Sequence, residues 1–125
     1  MAKKILVVDD EPDVVTYLST VLKDAGYETI EASNGEAAMA AVLSSHPDLI
    51  TLDITMPEMT GVKTYRKLKE DAKLKSIPVV IVTGVAHEFK KFISTRDQVP
   101  PPEGYLEKPV EPADLIAAVK KLLGP

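Results

Sequence analysis

Five short apolar runs, each followed by a stretch with helical hydrophobic spacing, restrict this chain to very few architectures. The runs are "KILVVD" (4–9), "YETIEA" (27–32), "DLITLD" (48–53), "IPVVIVT" (77–83) and "GYLEK" (104–108), and each reads as a strand. The first, third and fourth are almost continuously apolar, as strands covered on both faces of a parallel sheet must be. The second alternates, which suits an edge. Five β–α units in succession imply an open, doubly wound α/β sheet with right-handed crossovers.

The intervening segments carry their own punctuation. The first helix is expected to begin near Pro12, since proline suits a first helical turn. Its stripe is Val14, Val15, Leu18, Val21 and Leu22, and Gly26 is expected to supply a left-handed stop. The second opens at "SNGE", where Ser33 and Glu36 have capping-box spacing, and runs to Ser45. The third follows Thr60-Gly61 and carries Val62, Tyr65 and Leu68. The fourth groups Phe89, Phe92 and Ile93 and must stop before Pro100, while the fifth starts at Pro112 and aligns Leu115, Ile116, Val119, Leu122 and Leu123. The irregular patch is "VPPPEG" (99–104), whose prolines are expected to make a rigid, protruding approach to the last strand. Lys63, Arg66, Lys67 and Lys69 read as a solvated helix face, and His46 and His87 as isolated surface residues.

At 125 residues the chain suffices for one core and not two, so residues 1–125 are read as one domain. A net charge of -4 gives no general attraction to nucleic acid. The absence of cysteine excludes disulfides, thiolate metal sites and cysteine nucleophiles. The start, "MAKKILVVDDE", lacks the form of a signal peptide, and "IPVVIVTGVA" is too short to span a bilayer, so a cytoplasmic setting is expected.

In such sheets ligands bind beyond the carboxyl ends of the strands, near the point where strand order reverses. There the runs end on Asp9 and Asp10, Asp53, Thr83 and Lys108. Each residue also has an ordinary structural reading. Asp9 and Asp10 suit a helix cap, Thr83 an N-cap, Lys108 a snorkelling surface lysine, and Asp53 an Asx-turn ahead of Pro57. Their coincidence at four strand ends points instead to one site. Three neighbouring carboxylates repel by on the order of 1–4 kcal/mol per pair. A divalent cation relieves that repulsion, and few carboxylates at an open, watery site suit Mg²⁺. One carboxylate, facing solvent, is then placed to act as nucleophile toward a phosphoryl group, with an ammonium and a hydroxyl to position it.

With these residues in place, the sequence resembles the receiver domain of two-component response regulators, of the chemotaxis-regulator kind. The matching motifs are "LVVDDEP", "LDITMPEMTG", "VIVTG" and "GYLEKPV", in the family's order and over essentially the whole chain. The resemblance implies a flavodoxin-like sheet of order 2-1-3-4-5 and Mg²⁺-dependent transfer of phosphate onto Asp53. The donor would be a sensor histidine kinase or phosphotransfer protein, and the output a downstream protein target. It further implies that Asp10 and Asp53 bind the metal directly, Asp9 largely through water, and Thr55 through its carbonyl. Lys108 would pair with the phosphate, Thr83 would move to bond it, and Tyr105 would turn inward in response. Tyr105 also has an ordinary reading, as a half-exposed aromatic on an edge strand. Lys108-Pro109 matches the family's usual cis peptide. The face made by the fourth helix, fifth strand and fifth helix is where the family commonly dimerises or binds partners, and "VPPPEG" departs from the family there.

The competing readings come from other classes. A haloacid-dehalogenase-type phosphatase also uses an aspartate nucleophile and Mg²⁺, but wants two acids separated by one residue, where Asp53-Ile54-Thr55 offers threonine. A receiver-like module that is never phosphorylated should have lost an acid or the lysine, and all are kept. A flavin site would need a Ser/Thr/Gly-rich phosphate loop after strand one, where this chain has acids. No helix-turn-helix or catalytic domain follows in the sequence, so a regulator acting through protein contacts, or a receiver cut from a longer protein, is expected.

Overall fold

The computed structural model describes residues 2–53, 60–84 and 103–124, with the side chains of 60–62 and 83 outside that description. The elements are β1 (Lys4–Val8), α1 (Pro12–Asp24), β2 (Glu28–Ala32), α2 (Gly35–Ser45), β3 (Leu49–Leu52), α3 (Thr60–Glu70), β4 (Val79–Thr83), β5 (Gly104–Glu107) and α4 (Pro112–Leu123). The helix expected around Phe89 and residues 99–102 of the loop expected at 99–104 lie outside the described residues, as do Thr55 and His87. The helix expected fifth is therefore α4 here.

All strand pairs are parallel and the sheet order is β2-β1-β3-β4-β5. The apolar runs β1, β3 and β4 are thus interior, and the alternating β2 is an edge, as the hydrophobic patterns require. Alternate residues of each strand feed two separate cores. Leu6, Val8, Ile50, Leu52, Val79 and Ile81 meet Ala38 and Val42 of α2 and Tyr65 and Leu68 of α3. On the other face, Ile5, Val7, Leu49, Val80 and Val82 meet Val15, Leu18 and Leu22 of α1 and Leu115 and Val119 of α4. Among the described residues no helix is long and apolar enough to cross a membrane.

Helix ends follow the expected chemistry with one correction. Both α1 and α4 begin with a proline in the first turn. Helix α1 closes in a Schellman motif: Gly26, at φ 97°, donates to the Lys23 carbonyl at 3.0 Å and Tyr27 to that of Leu22 at 3.0 Å. The capping box at Ser33 does not form. Asn34 caps α2 instead, its Oδ1 accepting the Ala37 N–H at 2.8 Å, so the helix starts one residue later and Glu36 falls short of the reciprocal position.

Two stability predictions arise from the packing. A Cβ added at Gly104 would lie 2.9 Å from Val80 Cγ2, and a valine cannot swing away as a long side chain would. Gly104→Ala is expected to cost about 1–3 kcal/mol. An unchanged denaturation midpoint would show that Val80 repacks freely. Tyr65 is fully buried, and burial, aided by the Glu103 charge, pushes its phenol well above the usual 10.0. The native state then keeps this proton where the unfolded chain releases it. Its contribution is complete below about pH 10 and is lost as pH climbs through the higher native value. Urea midpoints measured across that range should decline less steeply for Tyr65→Phe than for wild type.

Candidate functional site

The site forms where β1, β3 and β5 run out. Val8 pairs with Leu52 in register, so the residues that follow, Asp9 and Asp53, emerge side by side. The Asp53 N–H donates to the Val8 carbonyl at 3.0 Å and the Asp9 N–H to that of Ala32 at 3.2 Å, which holds both backbones rigid. Asp9, Asp10 and Asp53 each bring a carboxylate oxygen within 4.8 Å of the others. Asp10 is exposed while Asp9 and Asp53 are buried.

Lys108 follows β5 directly and lies over the two buried acids. Its Nζ is 2.8 Å from Asp9 Oδ2, 3.5 Å from Asp53 Oδ2 and 3.7 Å from Glu11 Oε1. Its side chain is 19% exposed, so it is a partner of these acids and not a snorkelling surface lysine. Burial alone would lower its pKa, but Asp9, with help from Asp53 and Glu11, outweighs that and holds the ammonium above its usual range. Burial raises the Asp9 carboxyl and the Asp53 charge adds to the rise, against the opposing pull of Lys108 and the Glu11 N–H. Lys108-Pro109 is cis, as expected.

The ordinary readings of Asp9, Asp10 and Tyr105 can now be judged, while the Asx-turn ahead of Pro57 lies outside the described residues. Neither Asp9 nor Asp10 caps α1, whose N-cap is Glu11 without a side-chain bond. Asp9 Oδ1 accepts the Glu11 N–H at 2.9 Å, a local turn that fixes the carboxylate's orientation. Asp53, expected to face solvent, is 0% exposed. The Lys108 ammonium lies 3.5 Å from its Oδ2, and a carboxylate at such depth needs a counter-charge. Thr83 ends β4 opposite Glu107, on the same rim of the sheet, with its side chain outside the described part. Tyr105 is half-buried on the edge strand β5, its ring packed on the core shared with α2 and α3.

Two features went unread in the sequence. Glu11 adds a third acid beside Lys108, though "DDE" displays it plainly. Lys69 is a true correction. Its side chain is 1% exposed and its Nζ lies 2.8 Å from Glu103 Oε1, far from a solvated face. The spacing of Tyr65 and Lys69, four apart on α3, was the available signal. Lys63 and Lys67 are exposed, Arg66 half-buried, and His46 exposed, in keeping with the expectations for them apart from Arg66's partial cover.

The donor set is chemically definite. Clustered carboxylates with an exposed side match a hard divalent cation that keeps part of its water shell, and the residues present fit Mg²⁺. The facing ammonium is a counter-charge for an anionic group brought to the same place.

Comparison with known proteins agrees with this arrangement. The sequence profile of the response regulator receiver domain matches residues 5–120. The chain is 36% identical over 98% of its length to the alkaline phosphatase synthesis transcriptional regulatory protein PhoP of Bacillus subtilis, covering 49% of that protein. It is 33% identical to protein PilH of Pseudomonas aeruginosa, with 96% of this chain and 97% of PilH aligned. The chain thus spans about half the length of some relatives, such as PhoP, and nearly all of others. The fold superimposes on the chemotaxis response regulator CheY4 of Vibrio cholerae with a TM-score of 0.84, at 29% identity, over 98% of this chain and 100% of that one.

Proposed function

Because the chain belongs to the response regulator receiver domain family of two-component signalling, we propose that Asp53 is its phosphoacceptor. The observation that carries this reading is the grouping of Asp53, Asp9 and Asp10 under the Lys108 ammonium at the end of the sheet. Asp53 is held by its N–H bond to Val8, so its carboxylate is presented at one fixed place. An Asp53 oxygen attacks phosphorus, the bond to the donor's imidazole nitrogen breaks, and the imidazole leaves with its electron pair, taking a proton. Lys108 neutralises charge on the transferred group, and Thr83, at the same rim, is the hydroxyl that bonds it afterwards. Asp9, Asp10 and Asp53, with the Thr55 carbonyl, would hold Mg²⁺. When bound, Mg²⁺ supplies positive charge for the acids and the phosphoryl oxygens.

The donor is a histidine kinase or phosphotransfer protein, and the chain works in the cytoplasm where such donors act. It turns over no substrate beyond forming and losing its own acyl phosphate. The output is a changed protein surface, with Tyr105 as the aromatic that responds to Thr83. A partner, or a second copy, docks on the face of β5 and α4, together with the helix expected around Phe89. The test is incubation with phosphoramidate and Mg²⁺ followed by intact mass and borohydride mapping. One adduct at Asp53 supports the reading. Hydrolysis of a generic phosphoester without an adduct would favour a phosphatase, and no reaction at all would leave an interaction module.

A further inference from the structure

A second charged group lies at the opposite end of the sheet from Asp53. Lys69, in the last turn of α3, places its Nζ 2.8 Å from both Glu103 carboxylate oxygens, 3.4 Å from the Lys75 carbonyl and 3.5 Å from that of Ile77. The ammonium also sits 5.9 Å from the Tyr65 ring centre. Glu103 Oε1 accepts a further bond from the Val79 N–H at 2.8 Å. One carboxylate therefore joins the end of α3, the first residue of β4 and the residue before β5.

We propose that Glu103 is a positioning residue for phosphoryl acceptance: clamped by Lys69 and Val79, it sets the register of β5 and so the place of Lys108. This rests on the phosphoacceptor reading of Asp53. Strand β5 is four residues long and, among the described residues, pairs only with β4, so a single short ladder sets its register. The clamp acts immediately before the first pair, Val80 with Gly104, where the Val80 side chain lies 2.9 Å from where a Cβ would stand. A slip of one residue would turn Tyr105 to the other face of the sheet. It would also move Lys108 by about 3.3 Å. That displacement is comparable to the contacts of 2.8 and 3.5 Å that Lys108 makes with Asp9 and Asp53. The clamp is also conditional. With the Lys69 side chain 1% exposed, removing Glu103 would leave a buried charge without its counter-ion.

The experiment compares wild type, Glu103→Gln, Glu103→Ala, Lys69→Met and the Lys69→Met/Glu103→Ala double variant, each well below its melting temperature. Two readouts are taken: the initial rate of phosphorylation by phosphoramidate with Mg²⁺, and the NMR position of the Lys108 side-chain resonances. Glu103→Ala should slow phosphorylation on the order of tenfold, since ångström displacements of catalytic groups cost up to a hundredfold. It should also shift the Lys108 resonances. Glu103→Gln, which keeps an acceptor for Val79, should fall between it and wild type. The double variant should be no slower than Glu103→Ala, because both changes break one unit. A folded Glu103→Ala with the wild-type rate and unmoved Lys108 resonances would overturn the proposal. If Glu103→Ala does not fold, Glu103→Gln decides by the same two readouts. A wild type that takes no phosphoryl group would overturn the Asp53 reading instead, and the Lys108 resonances would still decide the clamp.

Discussion

Asp53→Asn is expected to take up no phosphoryl group under conditions where wild type forms a single adduct, and to remain folded. An amide oxygen is far less nucleophilic than a carboxylate, and no described residue places another carboxylate where Asp53 stands, fully buried and anchored to Val8. The same change should stabilise the metal-free protein. Asp53 is buried, with two other acids within 4.8 Å and the Lys108 ammonium at 3.5 Å, and the amide removes its repulsion from those acids. A gain of about 1 kcal/mol is expected, at the low end of pairwise repulsion at moderate dielectric. Adding Mg²⁺ should reverse the order, because the variant has lost one carboxylate of the binding set and gains less from the ion. Thermal melts with and without Mg²⁺, alongside intact mass, check both halves. An adduct in the variant would move the acceptor to another residue. A variant less stable than wild type without metal would mean that the Lys108 attraction outweighs the repulsion.

The fold and the acid cluster were legible because each leaves a one-dimensional trace. An apolar run that halts on a polar residue marks a strand end, and a parallel sheet gathers all such ends on one rim. Asp9, Asp10, Asp53 and Lys108 are placed by that rule alone. The α2 cap was misplaced by one residue because "SNGE" offers two adequate caps in a row, and Asn34 is the one whose oxygen reaches the Ala37 N–H. The burial of Asp53 was not legible, since it depends on contacts distant in sequence, such as that with a lysine 55 positions further along the chain. The clamp was the least readable feature. Lys69 sits among basic residues that do face water, and Glu103 follows a proline run without periodicity, 34 positions away. Only the coincidence of Lys69 with the buried stripe of Tyr65 hinted that this charge pointed inward.

Lys108→Met tests the opposite sign of the same electrostatics. Methionine keeps an unbranched side chain of similar reach and removes only the charge. Asp9, 1% exposed in its side chain, and Asp53, at 0%, then lose the cation that lies between them. Removing one partner of a fully buried pair costs about 3–5 kcal/mol. Lys108 is itself 19% exposed and water can reach the open side, so a loss of about 2 kcal/mol is expected without metal. With Mg²⁺ present the loss should shrink, because a divalent cation serves the same acids and no longer competes with an ammonium. The dissociation constant for Mg²⁺ should therefore fall, by roughly tenfold if about 1.4 kcal/mol of repulsion is removed. Phosphorylation should nonetheless slow by on the order of a hundredfold, since a preorganised counter-charge for the transferred group is gone. Lys108→Arg retains charge but not the compact point geometry, and should restore stability more fully than rate. Calorimetric titration of Mg²⁺ separates the two roles. Tighter metal binding with slower phosphorylation requires Lys108 to act on the phosphoryl group itself. Weaker metal binding would show that Lys108 chiefly holds the acids in place.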